Sequence, residues 1–194
     1  MSSTKGRQAQ RTSATIATLL ESATRLFGER GYAATSLDDI AEDCGLTIGA
    51  IYHHFGNKKA LFSAVNEAAE QRIIDAGQHI DDADPARLMH KRWRAFLALC
   101  NEPGFRRIVL IDSPHILGRD RWSVSDVTAL VGAMPPSADQ SRQHLALRIL
   151  RGAMAEAALA LAEADNNETS RILIDDIVEQ ILAVTAAQIH SNPS

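Results

Sequence analysis

Residues Thr35 to Lys59 read TSLDDIAEDCGLTIGAIYHHFGNKK and concentrate hydroxyl, phenol, imidazole and ammonium groups in one short stretch. Such groups bind phosphates and base edges. Two short apolar-periodic segments meet at a turn holding Gly45, the sequence form of a helix-turn-helix. The second helix of such a unit lies in the DNA major groove. Ile51 and Phe55, four residues apart, anchor it to a core, and Thr47, Gly49, Ala50, Tyr52 and His53 are small or polar. Gly49 and Ala50 allow close backbone approach to a duplex, and Ile48 is expected to face solvent, where it would meet a thymine methyl group. Thr35, Thr47 and Tyr52 can donate to phosphate. Lys58 adds charge to the positive start of the next helix, which is unfavourable locally and useful where a phosphate binds. The adjacent His53 and His54 diverge by about 100° on a helix and do not easily share a metal ion. A phosphate contact and a solvated imidazole both remain open for them, and no metal site is expected.

Enzymatic chemistry has little support. There is no HExxH, no GxSxG, no phosphate-binding P-loop and no paired Cys/His site, so neither an enzyme nor a cofactor is expected. Two cysteines, Cys44 and Cys100, make no disulfide framework, so a reducing, cytoplasmic location is expected. Each reads as a small core residue. The N-terminus, MSSTKGRQAQRTSAT, has no apolar core of a secretory signal, and no stretch reaches 18 consecutive apolar residues, so no membrane span is expected.

The elements that must position these groups follow from periodicity. The chain has 194 residues, 45% hydrophobic and 23% charged, an ordinary globular composition. Its net charge of −4 argues against a wholly basic nucleic-acid coat protein. Residues 1–60 carry seven basic groups against six acidic ones, while residues 61–194 carry 13 against 18. Residues 1–11 hold three positive charges and no negative one, and read as a flexible basic arm. From Thr12 a helix is expected, with Ile16, Leu19, Leu20, Ala23, Leu26 and Phe27 on one face and Gly31 as its stop. Ser36 with Asp39 forms a capping-box pattern, Thr47 caps the next helix, and Asn57 caps the one after. Met89, Trp93, Phe96, Leu97 and Cys100 make an apolar stripe. Residues 105–111 are apolar nearly all round, which predicts a buried helix, with breaks expected near 113–118 and 135–138. Two long helices close the chain, roughly 138–164 and 168–189. The fold class is all-α with about nine helices: an N-terminal three-helix domain containing the helix-turn-helix, then a larger helical domain.

The run GYAATSLDDIAEDCGLTIGAIYHHFGNKKALFSAV resembles the N-terminal domain of the TetR family of transcriptional repressors. The Gly-Tyr-x-x-Thr-Ser step, the Ala-x-x-Cys-Gly-Leu turn, the Gly-Ala-Ile-Tyr-His-His-Phe helix and the following Lys fall at the family's spacing, over residues 12–65. The resemblance implies DNA contacts by Thr35, Thr47, Gly49, Tyr52, His53, His54 and Lys58, a homodimer built from the last two helices, and a ligand cavity among the middle ones. Position 48 is often polar or basic in the family and is Ile here, which bears on operator identity. The implied domains are an arm at 1–11, a DNA-binding domain at 12–57 and a ligand-binding and dimerisation domain from Lys58 to 194.

For the cavity, Trp93, Phe96, Leu97 and Cys100, with Phe105, Ile108 and Trp122, give the apolar lining, and His115 and His144 are candidate polar anchors. The same residues would equally fill a helical core, and the two histidines would then be satisfied or exposed. Ile174, Ile177, Ile181 and Val184 recur at helical spacing, and two such helices per chain would build an intermolecular four-helix bundle. A dimer suits DNA reading because one recognition helix reads too few base pairs and two-fold symmetry matches a palindromic operator. The expected function is a repressor released from operator DNA by a small apolar effector. The alternatives are a DNA-binding regulator controlled by a protein partner without an effector, and a helical small-molecule carrier or enzyme.

Overall fold

The computed structural model describes residues 3–118, 140–164 and 168–190, and every regular element among them is helical. They are α1 (Ser3–Arg30), α2 (Leu37–Asp43), α3 (Ile48–Phe55), α4 (Lys58–Gln78) and α5 (Pro85–Cys100). A sixth helix, α6, winds as an α-helix over Pro103–Arg106, as a π-helix over Arg107–Asp112, and as an α-helix again over Ser113–Ile116. Then come α7 (Gln140–Glu163) and α8 (Glu168–His190). The all-α class is as expected. The break expected from residue 113 comes later, because the helix runs on to Ile116 and ends before Gly118, whose φ is +94°. The break expected at 135–138 lies outside the described residues.

The chain divides into two compact units. One joins Met1–Ala69 to Pro103–Arg119, and the other joins Glu70–Glu102 to Asp120–Ser194. The first unit takes in the start of α4 and all of α6.

In the first unit α1 begins upstream of the expected start at Thr12, since residues 3–11, read as an arm, are helical. Ala9, Gln10 and Arg11 are strong helix formers and prolong the helix without needing a buried face. Farther along, Leu19, Ala23, Leu26 and Phe27 are buried at helical spacing. Gly31 ends the helix at φ +84°, a conformation costly for a residue with a Cβ, and its N–H donates to the Phe27 carbonyl at 2.9 Å. The core closes around Ile40, Ile51, Leu61, Phe62 and Val65. Within it Phe27, Tyr32 and Phe62 pack ring on ring, with centroids 5.0–5.8 Å apart.

Helix α6 crosses α1 at two glycines. A Cβ on the buried Gly28 would stand 2.9 Å from the Gly104 Cα, so the backbones meet without side chains between them. Beyond the crossing, Ile108, Val109 and Leu110 are buried in succession. The wider π turn lets three neighbours point inward, where 3.6-residue winding would turn one of them out. Ile111, expected to be buried with them, is exposed.

In the second unit Met89, Trp93, Phe96 and Cys100 form the buried stripe of α5. Asp84 caps that helix, accepting from the Ala86 and Arg87 N–H groups at 2.9 and 3.3 Å. Helices α5 and α8 pack together, with Arg94 paired to Asp175 at 2.9 Å. Leu150, Met154, Ala158 and Leu161 of α7 are buried, as are Val178 and Leu182 of α8.

Candidate nucleic-acid interface

Helices α2 and α3 are fixed by local capping. The Ser36 hydroxyl oxygen accepts the Asp39 N–H at 3.0 Å, and Asp39 Oδ2 accepts the Ser36 N–H at 2.7 Å, closing the box. The far end of α2 is tied to α1: the Ser22 hydroxyl donates to Asp43 Oδ2 at 2.6 Å, and Arg25 pairs with Asp43 Oδ1. The turn then runs through Gly45 at φ +65°, and the Leu46 N–H donates to the Ala41 carbonyl at 2.9 Å. A Cβ at Gly45 would touch nothing within 4 Å, so backbone conformation alone asks for glycine. Thr47 Oγ1 accepts the Ala50 N–H at 3.3 Å to start α3, and Asn57 Oδ1 accepts the Ala60 N–H at 2.8 Å to start α4.

Two carboxylates of α2, Asp39 and Asp43, lie below the usual carboxylate range. For Asp39 the Ser36 hydroxyl is the main cause, followed by the Ser36 N–H; for Asp43 it is the Ser22 hydroxyl, followed by Arg25. A depressed carboxylate stabilises the fold above its unfolded pKa and loses that contribution as pH falls through its folded pKa. The melting temperature is therefore expected to fall as pH drops below about 4. Asp43→Asn should flatten that fall, as read from circular dichroism melts across pH; an equal slope in the variant would show that Asp43 is not one of the groups responsible.

The recognition helix presents one polar face. Ile51 is fully buried and Phe55 half-buried, as expected of the anchors. Thr47, Gly49, Tyr52 and His53 are exposed, Tyr52 by 53% of its surface. Residues 49, 52 and 53 share a face because they lie three and four positions apart. A Cβ at Gly49 would meet only Thr47 Oγ1, at an ordinary 3.7 Å, so packing does not demand glycine there. Ala50 and His54 are half-buried, and the His53 and His54 rings sit edge to face with centroids 4.9 Å apart. No group of three or more metal-binding side chains occurs among the described residues.

Two residues are placed differently from expectation. Ile48 is half-buried instead of facing solvent, because it lies three positions before Ile51 and shares the inward edge of α3. Thr35 is 1% exposed, and its hydroxyl lies 2.9 Å from the Gly31 carbonyl and 3.2 Å from that of Leu26. It is committed to these main-chain carbonyls, which leaves its side chain no reach to a phosphate.

Lys58 opens α4 half-buried, with Nζ 4.2 Å from the centroid of the Tyr32 ring. Burial pushes its ammonium below the usual lysine range, while Asp39 and then Asp112 oppose that shift. The Tyr32 N–H donates to Asp112 Oδ2 at 2.8 Å across 80 residues of sequence. Tyr32 and Asp112 were not among the expected site residues. No local pattern could announce a pair so far apart in the chain.

The expected ligand-lining residues fall in both units. Trp93, Phe96 and Cys100 are buried and Leu97 half-buried in the second; Phe105 and Ile108 are buried and His115 exposed in the first. Trp122 lies outside the described residues.

Comparison with known proteins bears on both parts of the chain. Residues 19–65 match the family profile described as bacterial regulatory proteins, tetR family, and residues 86–184 match one described as tetracyclin repressor-like, C-terminal domain. The transcriptional regulator TtgR of Pseudomonas putida is 41% identical over 80 residues, which is 40% of this chain and 38% of TtgR. AcrR of Shigella flexneri is 47% identical over 55 residues, 28% of this chain and 26% of AcrR. The chain thus matches less than two-fifths of the length of these curated relatives. A crystal structure of a TetR-family regulator from Pectobacterium atrosepticum superposes with a TM-score of 0.64 at 32% identity, covering 95% of this chain and 98% of that one.

Proposed function

The chain belongs to the TetR family of bacterial regulatory proteins, and we propose that it is a repressor that reads a palindromic operator as a homodimer and leaves it on binding a small, largely apolar effector. As a family member it is a transcriptional regulator with a DNA-binding helix-turn-helix. The observation that carries the reading is the exposed Gly49–Tyr52–His53 face of α3, capped by Thr47.

On this reading the N-terminal turn of α3 enters the major groove. Gly49 and Ala50 admit the backbone, and Tyr52 and His53 reach base edges or phosphates. His54 lies at the rim, and Lys58 with the Thr47 hydroxyl takes phosphates that fix register without reading sequence. Ile48, half-buried, offers one edge to a thymine methyl group. Thr35 supports the end of α1 and touches no DNA.

The dimer reading rests on α7 and α8. Leu145, Ile149, Ile172, Leu173, Ile177 and Val184 are exposed, a concentration of large apolar side chains that a bundle with a second copy would cover. The effector reading rests on the buried, apolar and aromatic character of Trp93 and Phe96 in the second unit. An effector that prefers the conformation with wrongly spaced reading heads lowers DNA affinity by its differential affinity for the two states.

Selection of bound sequences from a random duplex pool tests this. The expected result is an inverted repeat with half-sites about one helical turn apart, or a multiple of it, lost with Tyr52→Ala. Ile177→Asp should leave each chain helical but monomeric by sedimentation, and should recover no inverted repeat. Absence of enrichment at low salt would overturn the reading.

A further inference from the structure

Asp112 stands where the π turn of α6 ends, in the same unit as the recognition helix. Its carboxylate accepts the main-chain N–H of Tyr32 at 2.8 Å. The ring of that same tyrosine carries the Lys58 ammonium, 4.2 Å from its centroid. Asp112 thus holds the main chain of Tyr32, and Lys58 rests on its ring. Gly31 leaves room for this arrangement: a Cβ there would stand 3.5 Å from Asp112 Oδ2 and 3.2 Å from Arg107 Nη1. The Gly28–Gly104 crossing brings α6 close enough for the contact to form. Against the burial of Lys58, Asp39 of α2 and then Asp112 of α6 both favour its charged form. Asp39 is already committed to the capping box; Asp112 makes its hydrogen bond to the turn beneath Lys58.

We propose that Asp112 is a positioning residue for the phosphate contact of Lys58: it pins the Tyr32 turn and keeps Lys58 resting on the Tyr32 ring, so that a DNA phosphate must compete with the Asp112 charge for the ammonium. The proposal rests on the reading of Lys58 as a phosphate ligand. It gives α6 a role in DNA affinity that acts through Lys58. It also predicts that an uncharged side chain at 112 tightens DNA binding, the reverse of what loss of a merely structural contact would do.

The test uses the full chain and a random-sequence duplex of about 30 base pairs, with affinity measured over a range of salt concentrations. Asp112→Asn keeps an oxygen for the Tyr32 N–H and removes the charge. It is expected to bind two- to fivefold more tightly, about the size of a partly exposed ion pair. In a Lys58→Ala background the same substitution should change nothing. Lys58→Ala alone should weaken binding and reduce the salt slope by about one unit. An unchanged slope would overturn the Lys58 reading itself. A reduced slope with no tightening by Asp112→Asn, or with tightening that persists without Lys58, would overturn the role of Asp112 alone. Melting curves establish that each variant is folded. Asp112→Ser, a smaller uncharged acceptor, replaces Asn if that variant does not fold, with the same outcomes.

Discussion

Gly28→Ala is expected to destabilise the protein, although alanine is the best helix former and glycine among the worst. In an exposed helical position the exchange would raise stability by about 1 kcal/mol. Here the added methyl would stand 2.9 Å from the Cα of Gly104, and a backbone atom cannot swing aside as a long side chain can. The crossing of α1 and α6 must open, which loosens the packing of Ile108, Val109 and Leu110 and the Asp112–Tyr32 hydrogen bond. Overpacking of this kind costs about 1–3 kcal/mol and more for larger groups, so Gly28→Leu should exceed Gly28→Ala. For a chain of this size about 3 kcal/mol corresponds to a fall of roughly 6–12 °C in melting temperature. Thermal denaturation of the two variants measures it. A rise in melting temperature for Gly28→Ala would mean that the helices do not cross backbone to backbone.

Trp93→Ala is expected to cost about 3–5 kcal/mol, the range for emptying a large aromatic site. Trp93 has no exposed surface, and its ring lies 5.8 Å from that of Phe96. Trp93→Phe should cost far less. It keeps most of the apolar volume, and the indole N–H it deletes is buried with no hydrogen-bond partner among the described residues. Deleting a donor without a partner removes a desolvation penalty, whereas deleting a bonded one strands its acceptor. Both variants delete the N–H and only Ala also empties the site, so the size of the loss for Trp93→Phe reports on the indole nitrogen. Equal losses for Ala and Phe would show that it is hydrogen-bonded in solution.

What could be read in the sequence was local. The Ser36–Asp39 box, the Thr47 and Asn57 caps and the Gly31 and Gly45 turns each depend on residues within four positions, and all of them form. The anchors Ile51 and Phe55 followed from helical spacing. Thr35 and Ile48 did not follow, for the same reason in both cases. A hydroxyl or a methyl-bearing side chain suits a DNA surface and a protein interior equally, and only the tertiary neighbours decide. For Thr35 those neighbours are carbonyls of α1, four and nine residues upstream. The π winding of α6 was hidden too, because periodicity arguments assume 3.6 residues per turn and Ile108, Val109 and Leu110 are buried in succession. Asp112 and Tyr32 are 80 residues apart, beyond any spacing rule. The upstream extension of α1 shows a different limit: a polar segment carries no face to read, yet it continues a helix already nucleated.

The membership of α6 in the first unit bears on how portable the reading head is. Cutting after Asn57, or at the end of the match to the DNA-binding profile at residue 65, would leave Gly28 facing water and the Tyr32 N–H without its acceptor. A chimera that joins such a fragment to a foreign sensor inherits α1 to α3 but not the helix they were shaped around. The compact unit is discontinuous, residues 1–69 together with 103–118, and on the proposed operator reading an exchange between relatives is expected to keep operator preference only when both pieces travel together.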